Sequence, residues 1–277
     1  MAALNYGVVE AGSGHLGHVT WAAYGPPTSP LTPVVLLHGL ADSSACWPSV
    51  VEHLATDRLA IVTDLRGHGE SPLPEALFTI KAAADDLAVV VRQVAQRPAL
   101  VVGHSLGGLV AQDLAVRAPA LLRGLVLEDP AWDIGRDRDA EVGAWVRTLR
   151  RSSYAQLVRQ CLTENPDWPA DEVAPWAESK LQVDPRVVDL AQGWGDGDRV
   201  GELARLAPQD EFSTTVVLGT PEHGSVVPAE MAERAELTIE GKGEVLVVEG
   251  AGHCVRRDRR AQFLAILDEA LEAADAR

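Results

Sequence analysis

Ser105 stands in Gly103-His104-Ser105-Leu106-Gly107, directly after the apolar run Leu100-Val101-Val102 and directly before a helical pattern. A serine hydroxyl becomes a useful nucleophile when a base takes its proton and a third group fixes the tautomer of that base. A strand that reverses sharply into a helix holds the residue at the bend in a strained conformation, and small residues two before and two after it let the chains pass. Ser105 Oγ is then lifted above the sheet edge, with a helix N-terminus aimed beside it. Gly-x-Ser-x-Gly is a weak string alone. Its value here lies in the strand before it, the helix after it and the partners the rest of the chain supplies.

The base has to reach the same sheet edge from a loop. Of the eight histidines, His253 has that position: it follows the strand pattern at 244–248 through Glu249-Gly250-Ala251-Gly252 and precedes the last helix. His15, His18 and His53 read as surface residues, and His104 as packing or a substrate contact. Two residues contend for the acid. Glu222 lies in the loop after the strand at 213–219, and Asp129 ends the strand at 125–130. Both loops open on the same edge; Glu222 is preferred, with Asp129 as the alternative, and strand alternation turns Glu128 away from Asp129's side. The main-chain N–H groups of Leu106 and Leu40 are expected to hold a developing oxyanion. Gly39 lets the main chain approach the substrate closely.

The elements that must position these groups are legible as patterns. Residues 7–24 read as two strands, Gly7–Glu10 and His18–Tyr24, around the turn Ala11-Gly12-Ser13-Gly14. The continuous apolar run at 33–39 reads as a strand buried on both faces, and Leu59-Ala60-Ile61-Val62-Thr63-Asp64 as the next strand. Between them lies a helix starting near Cys46-Trp47, and after them a helix capped by Thr79. A helix from about residue 106 is stopped by Pro119. Alternation of strand and helix over 33–130 predicts an α/β fold with a mostly parallel, doubly wound sheet. Residues 131–211 carry only helical patterns, with helix starts at Pro169 and Asp184-Pro185. They read as a helical cap inserted into a core formed by 1–130 and 212–277, whose last helix spans about 258–274. Five of the seven tryptophans fall in this insert (Trp132, Trp145, Trp168, Trp176 and Trp194). Trp132 and Trp194 are the expected pocket residues, forming an apolar wall for a large group.

Composition narrows the partners. With 277 residues and 47% hydrophobic content the chain can bury a substantial core. No stretch reaches the roughly 18 apolar residues of a membrane span, and the N-terminus lacks the pattern of a secretory signal. A net charge of −16 argues against nucleic acid. Three cysteines, Cys46, Cys161 and Cys254, are odd in number and far apart, which suggests a reducing cytoplasm and no disulfide framework or metal site. The expected protein is a cytoplasmic monomer or homodimer acting on a small molecule, away from nucleic acid and membrane.

Taken together, His38-Gly39 with Trp47 downstream, Asp64-Leu65-Arg66-Gly67-His68-Gly69-Glu70-Ser71, Gly103-His104-Ser105-Leu106-Gly107, Leu127-Glu128-Asp129-Pro130 and Gly250-Ala251-Gly252-His253 resemble the capped α/β-hydrolase superfamily over nearly the full chain. The resemblance implies Ser105 as nucleophile, His253 as base, the 40 and 106 amides as oxyanion hole, and a structural role for 64–71. The family usually places an Asp where this chain has Glu222. Some capped members, haloalkane dehalogenases and zearalenone-type lactonases among them, use an acid after the strand before the cap, where Asp129 lies. A serine nucleophile disfavours the carboxylate-nucleophile branches and leaves hydrolysis of an ester, lactone or thioester, with a macrolactone as one candidate. Carbon–carbon bond hydrolysis or lysis and a non-enzymatic ligand receptor are the alternatives. No metal or organic cofactor is implied.

Overall fold

Three short strands, Val34–Leu37 (β3), Ala60–Thr63 (β4) and Ala99–His104 (β5), are buried at every residue. Burial on both faces is why they read as continuous apolar runs rather than as an alternation. The computed structural model describes residues 10–133, 139–191, 193–208 and 211–277. In it β4, β3 and β5 pair in parallel, and Leu122–Glu128 (β6), Ser213–Leu218 (β7) and Gly243–Val247 (β8) extend the parallel array on the β5 side. Val19–Tyr24 (β2) joins β4 antiparallel, and Glu10–Leu16 (β1) joins β2 antiparallel. The eight-stranded sheet runs β1-β2-β4-β3-β5-β6-β7-β8.

The hairpin turn differs from the one predicted. It falls at Gly17-His18, where Leu16 pairs with Val19 and Gly17 takes φ +64, and Gly12–Gly14 are themselves strand residues with a register shift beside Glu10. A glycine pair can sit in a strand when a neighbour supplies its packing, and the Trp21 indole lies against Gly14. The expected strand Gly7–Glu10 lies outside the described residues except for Glu10.

Helices cover both faces of the sheet. Ile80–Val90 (α2) and Leu106–Arg117 (α3) bury Leu87 and Leu109 in one core with Val35, Val101, Leu125 and Leu127. Pro48–Leu54 (α1) and Arg260–Asp275 (α9) bury Val50, Phe263 and Leu267 in the other, against Leu36, Val102 and Val126. Strand residues of alternating parity thus feed opposite cores, the signature of a doubly wound sheet. Thr79 caps α2 as its sequence predicts, its Oγ1 accepting from Ala82 N at 3.0 Å.

Between β6 and β7 the chain forms Asp139–Arg151 (α4), Tyr154–Glu164 (α5) and Ala170–Gln182 (α6), with short 3-10 turns at Pro185–Val187 and Gly201–Arg205. Val146, Leu157 and Trp176 of this insert join the first core, and one bridge pairs Ala191 with Phe78. Ala229–Ile239 (α7) and a short Val255–Asp258 (α8) complete the helices used below. No helix among the described residues is long and apolar enough to cross a membrane.

Candidate active site

Close packing explains the glycines around Ser105. A Cβ at Gly103 would run into the Gly107 carbonyl and lie 2.9 Å from the Ala111 Cβ, and one at Gly107 would run into the Leu37 and His38 carbonyls. α3 therefore packs directly on β3 and β5, and the chain between them has no slack. Ser105 absorbs the bend at φ +54, ψ −117, a left-handed region that costs a non-glycine residue on the order of 1–3 kcal/mol. Its hydroxyl stands at the carboxyl edge of β5 with Leu106 as the first residue of α3. The N–H of a first helical residue has no partner within the helix.

His253 reaches that hydroxyl: Nε2 lies 3.0 Å from Ser105 Oγ, and Nδ1 lies 2.6 Å from Asp129 Oδ2. The Asp129 carboxylate is fully buried and also accepts from Ser225 Oγ at 2.6 Å, Val226 N at 2.9 Å and Gly219 N at 3.4 Å. Every neighbour donates to it, so the proton between it and His253 belongs on Nδ1. Nε2 is then left to accept from the serine. Asp129 itself sits at φ +40, a second strained residue at the same edge.

The preferred acid, Glu222, does not reach His253. It lies in the short 3-10 turn Pro221–His223, with its side chain 65% exposed and its carboxylate 4.0 Å from the His223 ring. The reason is the path of the loop. Thr220 N donates to Ala251 O at 2.8 Å, and a Cβ at Gly219 would strike the Ala251 and Gly252 carbonyls. The chain leaving β7 is pinned flat against the His253 loop and turns Glu222 outward. Three residues later it supplies Ser225 and Val226, so the loop expected to contribute the acid contributes hydrogen-bond donors to Asp129. Glu128 points the other way, as alternation predicts, and binds Arg256 Nη1 at 2.7 Å.

Leu40 lies in a turn closed by Asp42 N donating to Gly39 O at 3.2 Å, with Ala41 at φ +61. A Cβ at Gly39 would lie 2.8 Å from the Ser105 Cβ, so only glycine lets this turn sit against the serine. His104 Nε2–H donates to His253 O at 2.9 Å and steadies the His253 loop. Burial, and then the nearby Arg256, hold His104 well below the usual histidine range, so it is neutral. His38 beneath the turn is pushed down to about 4 by burial. Its Nδ1–H donates to Gly39 O at 2.8 Å, and its Nε2 accepts from Leu65 N at 3.0 Å. Residues 64–71 form a hydrogen-bonded loop around Asp64, whose carboxylate accepts from Ser44 N and Glu70 N.

A cavity of about 280 Å³ opens over Ser105. Its apolar lining is Leu40, Ala131, Val142, Trp145, Trp176 and Val226, and its charged lining is Asp42, Asp133, Lys180 and Arg257. Trp132 and Trp194 are not part of this wall. Each is buried in the core with its indole N–H satisfied there: Trp132 donates to Gln112 Oε1 and Trp194 to Phe78 O, both at 2.8 Å. A buried indole goes where its N–H finds a partner, which sequence spacing does not reveal. The tryptophans that do face the cavity, Trp145 and Trp176, come from α4 and α6. Sequence reasoning also passed over Asp42, Glu172, Lys180, Arg256 and Arg257. Arg256-Arg257-Asp258-Arg259-Arg260 is a run of charged residues, yet Arg256 and Arg257 are 0% and 2% exposed.

The fold and this edge-of-sheet arrangement define an α/β hydrolase. Residues 34–266 match the Alpha/beta hydrolase family, and the chain belongs to it. Among curated proteins it is similar to lipase LipV of Mycobacterium tuberculosis, 39% identical over 119 residues that cover 43% of this chain and 44% of the lipase. Among solved structures it is similar to E-2-(acetamidomethylene)succinate hydrolase, with a TM-score of 0.79 and 23% identity over 96% of this chain and 99% of that one. It is also similar to a thermophilic esterase from Thermogutta terrifontis, with a TM-score of 0.73 and 24% identity over 97% and 99% of the two chains. At such identities the structural matches speak for the fold alone.

Proposed function

We propose that the protein is a serine hydrolase that cleaves a carboxylic ester or lactone, with Ser105 as nucleophile, His253 as general base and Asp129 as the acid that orients it. The observation that carries this reading is the chain of contacts from Asp129 Oδ2 through His253 to Ser105 Oγ, at 2.6 and 3.0 Å. His253 Nε2 takes the serine proton as Oγ attacks the carbonyl carbon. The tetrahedral oxyanion is held by the N–H groups of Leu40 and Leu106, and the imidazolium returns its proton to the leaving alcohol. Water, deprotonated by the same nitrogen, then opens the acyl-enzyme and restores Ser105.

The cavity supports a compact, uncharged substrate. At about 280 Å³ it falls at the lower end of small-molecule pockets, which favours a short or single-ring acyl group over a macrolactone. Among the described lining residues two carboxylates, Asp42 and Asp133, balance two cations, Lys180 and Arg257, which gives an anion no net attraction from them. In this respect the substrate is more like that of a simple esterase than like the acetamidomethylenesuccinate of the similar hydrolase. The test is a panel of nitrophenyl esters of increasing acyl length, small lactones, a thioester and an ester bearing a free carboxylate. Short neutral esters and lactones should turn over, Ser105→Ala should abolish activity, and a fluorophosphonate should label wild type only. Turnover unchanged in Ser105→Ala, or a preference for the carboxylate-bearing ester, would overturn the proposal.

A further inference from the structure

Beside the Ser105–His253–Asp129 chain lies a second set of charges that the proposed reaction does not use. Asp42, Glu128, Glu172, Lys180, Arg256 and Arg257 are all at most 4% exposed. Three carboxylates face three cations, and the pairs interlock. Lys180 Nζ donates to Asp42 Oδ1 at 2.5 Å and Arg257 Nη2 to Asp42 Oδ2 at 3.0 Å, with Arg256 Nη2 at 3.3 Å from the same oxygen. Arg256 continues to Glu128 at 2.7 Å and Arg257 to Glu172 at 3.1 Å. Burial alone would raise the Asp42 pKa, but Arg257, Lys180 and Arg256 together hold it well below the usual carboxylate range.

The six members come from four parts of the site. Asp42 closes the turn that carries Leu40. Lys180 and Glu172 belong to α6 of the insert. Arg256 and Arg257 follow His253 by three and four positions, and Glu128 precedes Asp129. Lys180 also donates to Ala41 O at 3.0 Å, and Ala41 is the non-glycine residue held at φ +61. That turn type ordinarily takes glycine at this position, and a strained alanine persists only when its surroundings over-determine it. The donors of Lys180 and Arg257 are engaged within the cluster, so the cluster reads as scaffold rather than as a vacant anion site.

We infer that Lys180 is a positioning residue: by gripping Ala41 O and Asp42 together it clamps the Leu40 turn in its oxyanion-binding shape, while the other oxygen of Asp42, through Arg256 and Arg257, ties that turn to the His253 loop. The inference rests on the acyl-transfer reading above. It makes the helical insert part of the catalytic framework as well as a wall of the pocket. A misplacement of about 1 Å can cost on the order of a hundredfold in rate, and loss of one oxyanion donor costs about 10²–10³ in kcat.

The test compares wild type, Lys180→Met and Lys180→Arg. Lys180→Met should lower kcat on a short ester by about ten- to a hundredfold with KM changed less than about threefold. It should weaken a trifluoromethyl ketone, which mimics the oxyanion, by the same factor, and leave the corresponding alcohol, which does not, unaffected. Lys180→Arg should recover part of kcat. Hydrogen–deuterium exchange across 39–43 should rise in Lys180→Met with no substrate present. Should Lys180→Met not fold, Lys180→Gln, which keeps a donor for Ala41 O, carries the same comparison with a smaller loss. Equal weakening of ketone and alcohol, wild-type kcat in a folded variant, or unchanged exchange at 39–43 would each overturn the clamp. If wild type neither cleaves esters nor binds the ketone, the acyl-transfer reading fails, while the exchange comparison still decides whether Lys180 holds the turn.

Discussion

At the scale of single residues, the decisive choice is between two carboxylates. Asp129 is buried, accepts from four donors and meets His253 at 2.6 Å; Glu222 is mostly solvated on the far side of its loop. Removing the charge of Asp129 should therefore unsettle the tautomer of His253, whereas removing that of Glu222 should change little. Asp129→Asn is expected to lower kcat by about 10³–10⁴, and Glu222→Gln to stay within about twofold of wild type. Initial rates on an activated ester check both. Comparable losses in the two variants would mean that the acid acts differently from the way its geometry suggests. Ser105 and His253 were legible in the sequence as candidates because one lies in a local turn motif and the other directly follows the last strand. Which carboxylate meets His253 was ambiguous because it depends on which way a loop is pinned, and the contacts that pin it join residues far apart in sequence.

At the scale of elements, strand runs, the Thr79 cap and the mostly parallel character of the sheet followed from local pattern. What local pattern left open was the direction each tryptophan faces. Trp145, half-exposed on α4, lines the cavity; Trp194 is buried edge-on against Phe78 with its N–H on a main-chain carbonyl. Their truncations should differ in kind. Trp145→Ala should shift the preferred acyl length upward with less than about 1 kcal/mol of stability lost. Trp194→Ala should cost about 3–5 kcal/mol by urea unfolding with the acyl-length profile retained. A length profile moved by Trp194→Ala alone would reverse the assignment. The hairpin shows the same limit on a smaller scale: two Gly-containing stretches compete for one turn, and pairing of the strands selects Gly17-His18.

Across the whole molecule, buried ionisable groups make stability depend on pH. Burial pushes His38 down to about 4, and burial followed by the charge of His38 pushes His68 down to about 3, against about 6.5 for an unfolded histidine. At these two imidazoles the unfolded chain binds more protons than the folded one below about pH 6.5. Stability present above that pH is therefore lost as the pH falls toward 4 and, for His68, toward 3. Thermal melts from about pH 7.5 down to about pH 5 should show a falling Tm, and a folded His68→Gln variant should show a shallower slope. A Tm that is flat or rises over this interval would show that these imidazoles are not held neutral by the fold. Taken alone, the sequence determined the α/β architecture, the bend at Ser105, the place of His253 and the helical character of the insert. Each is encoded in residues adjacent in the chain or repeating at one period. Tertiary structure alone decided that Asp129 meets His253, that Trp145 and Trp176 rather than Trp132 and Trp194 face the cavity, and that a charged run at 256–257 lies in the interior. Those outcomes depend on which distant groups satisfy a buried carboxylate, indole or guanidinium, and such partners meet only when the chain has closed on itself.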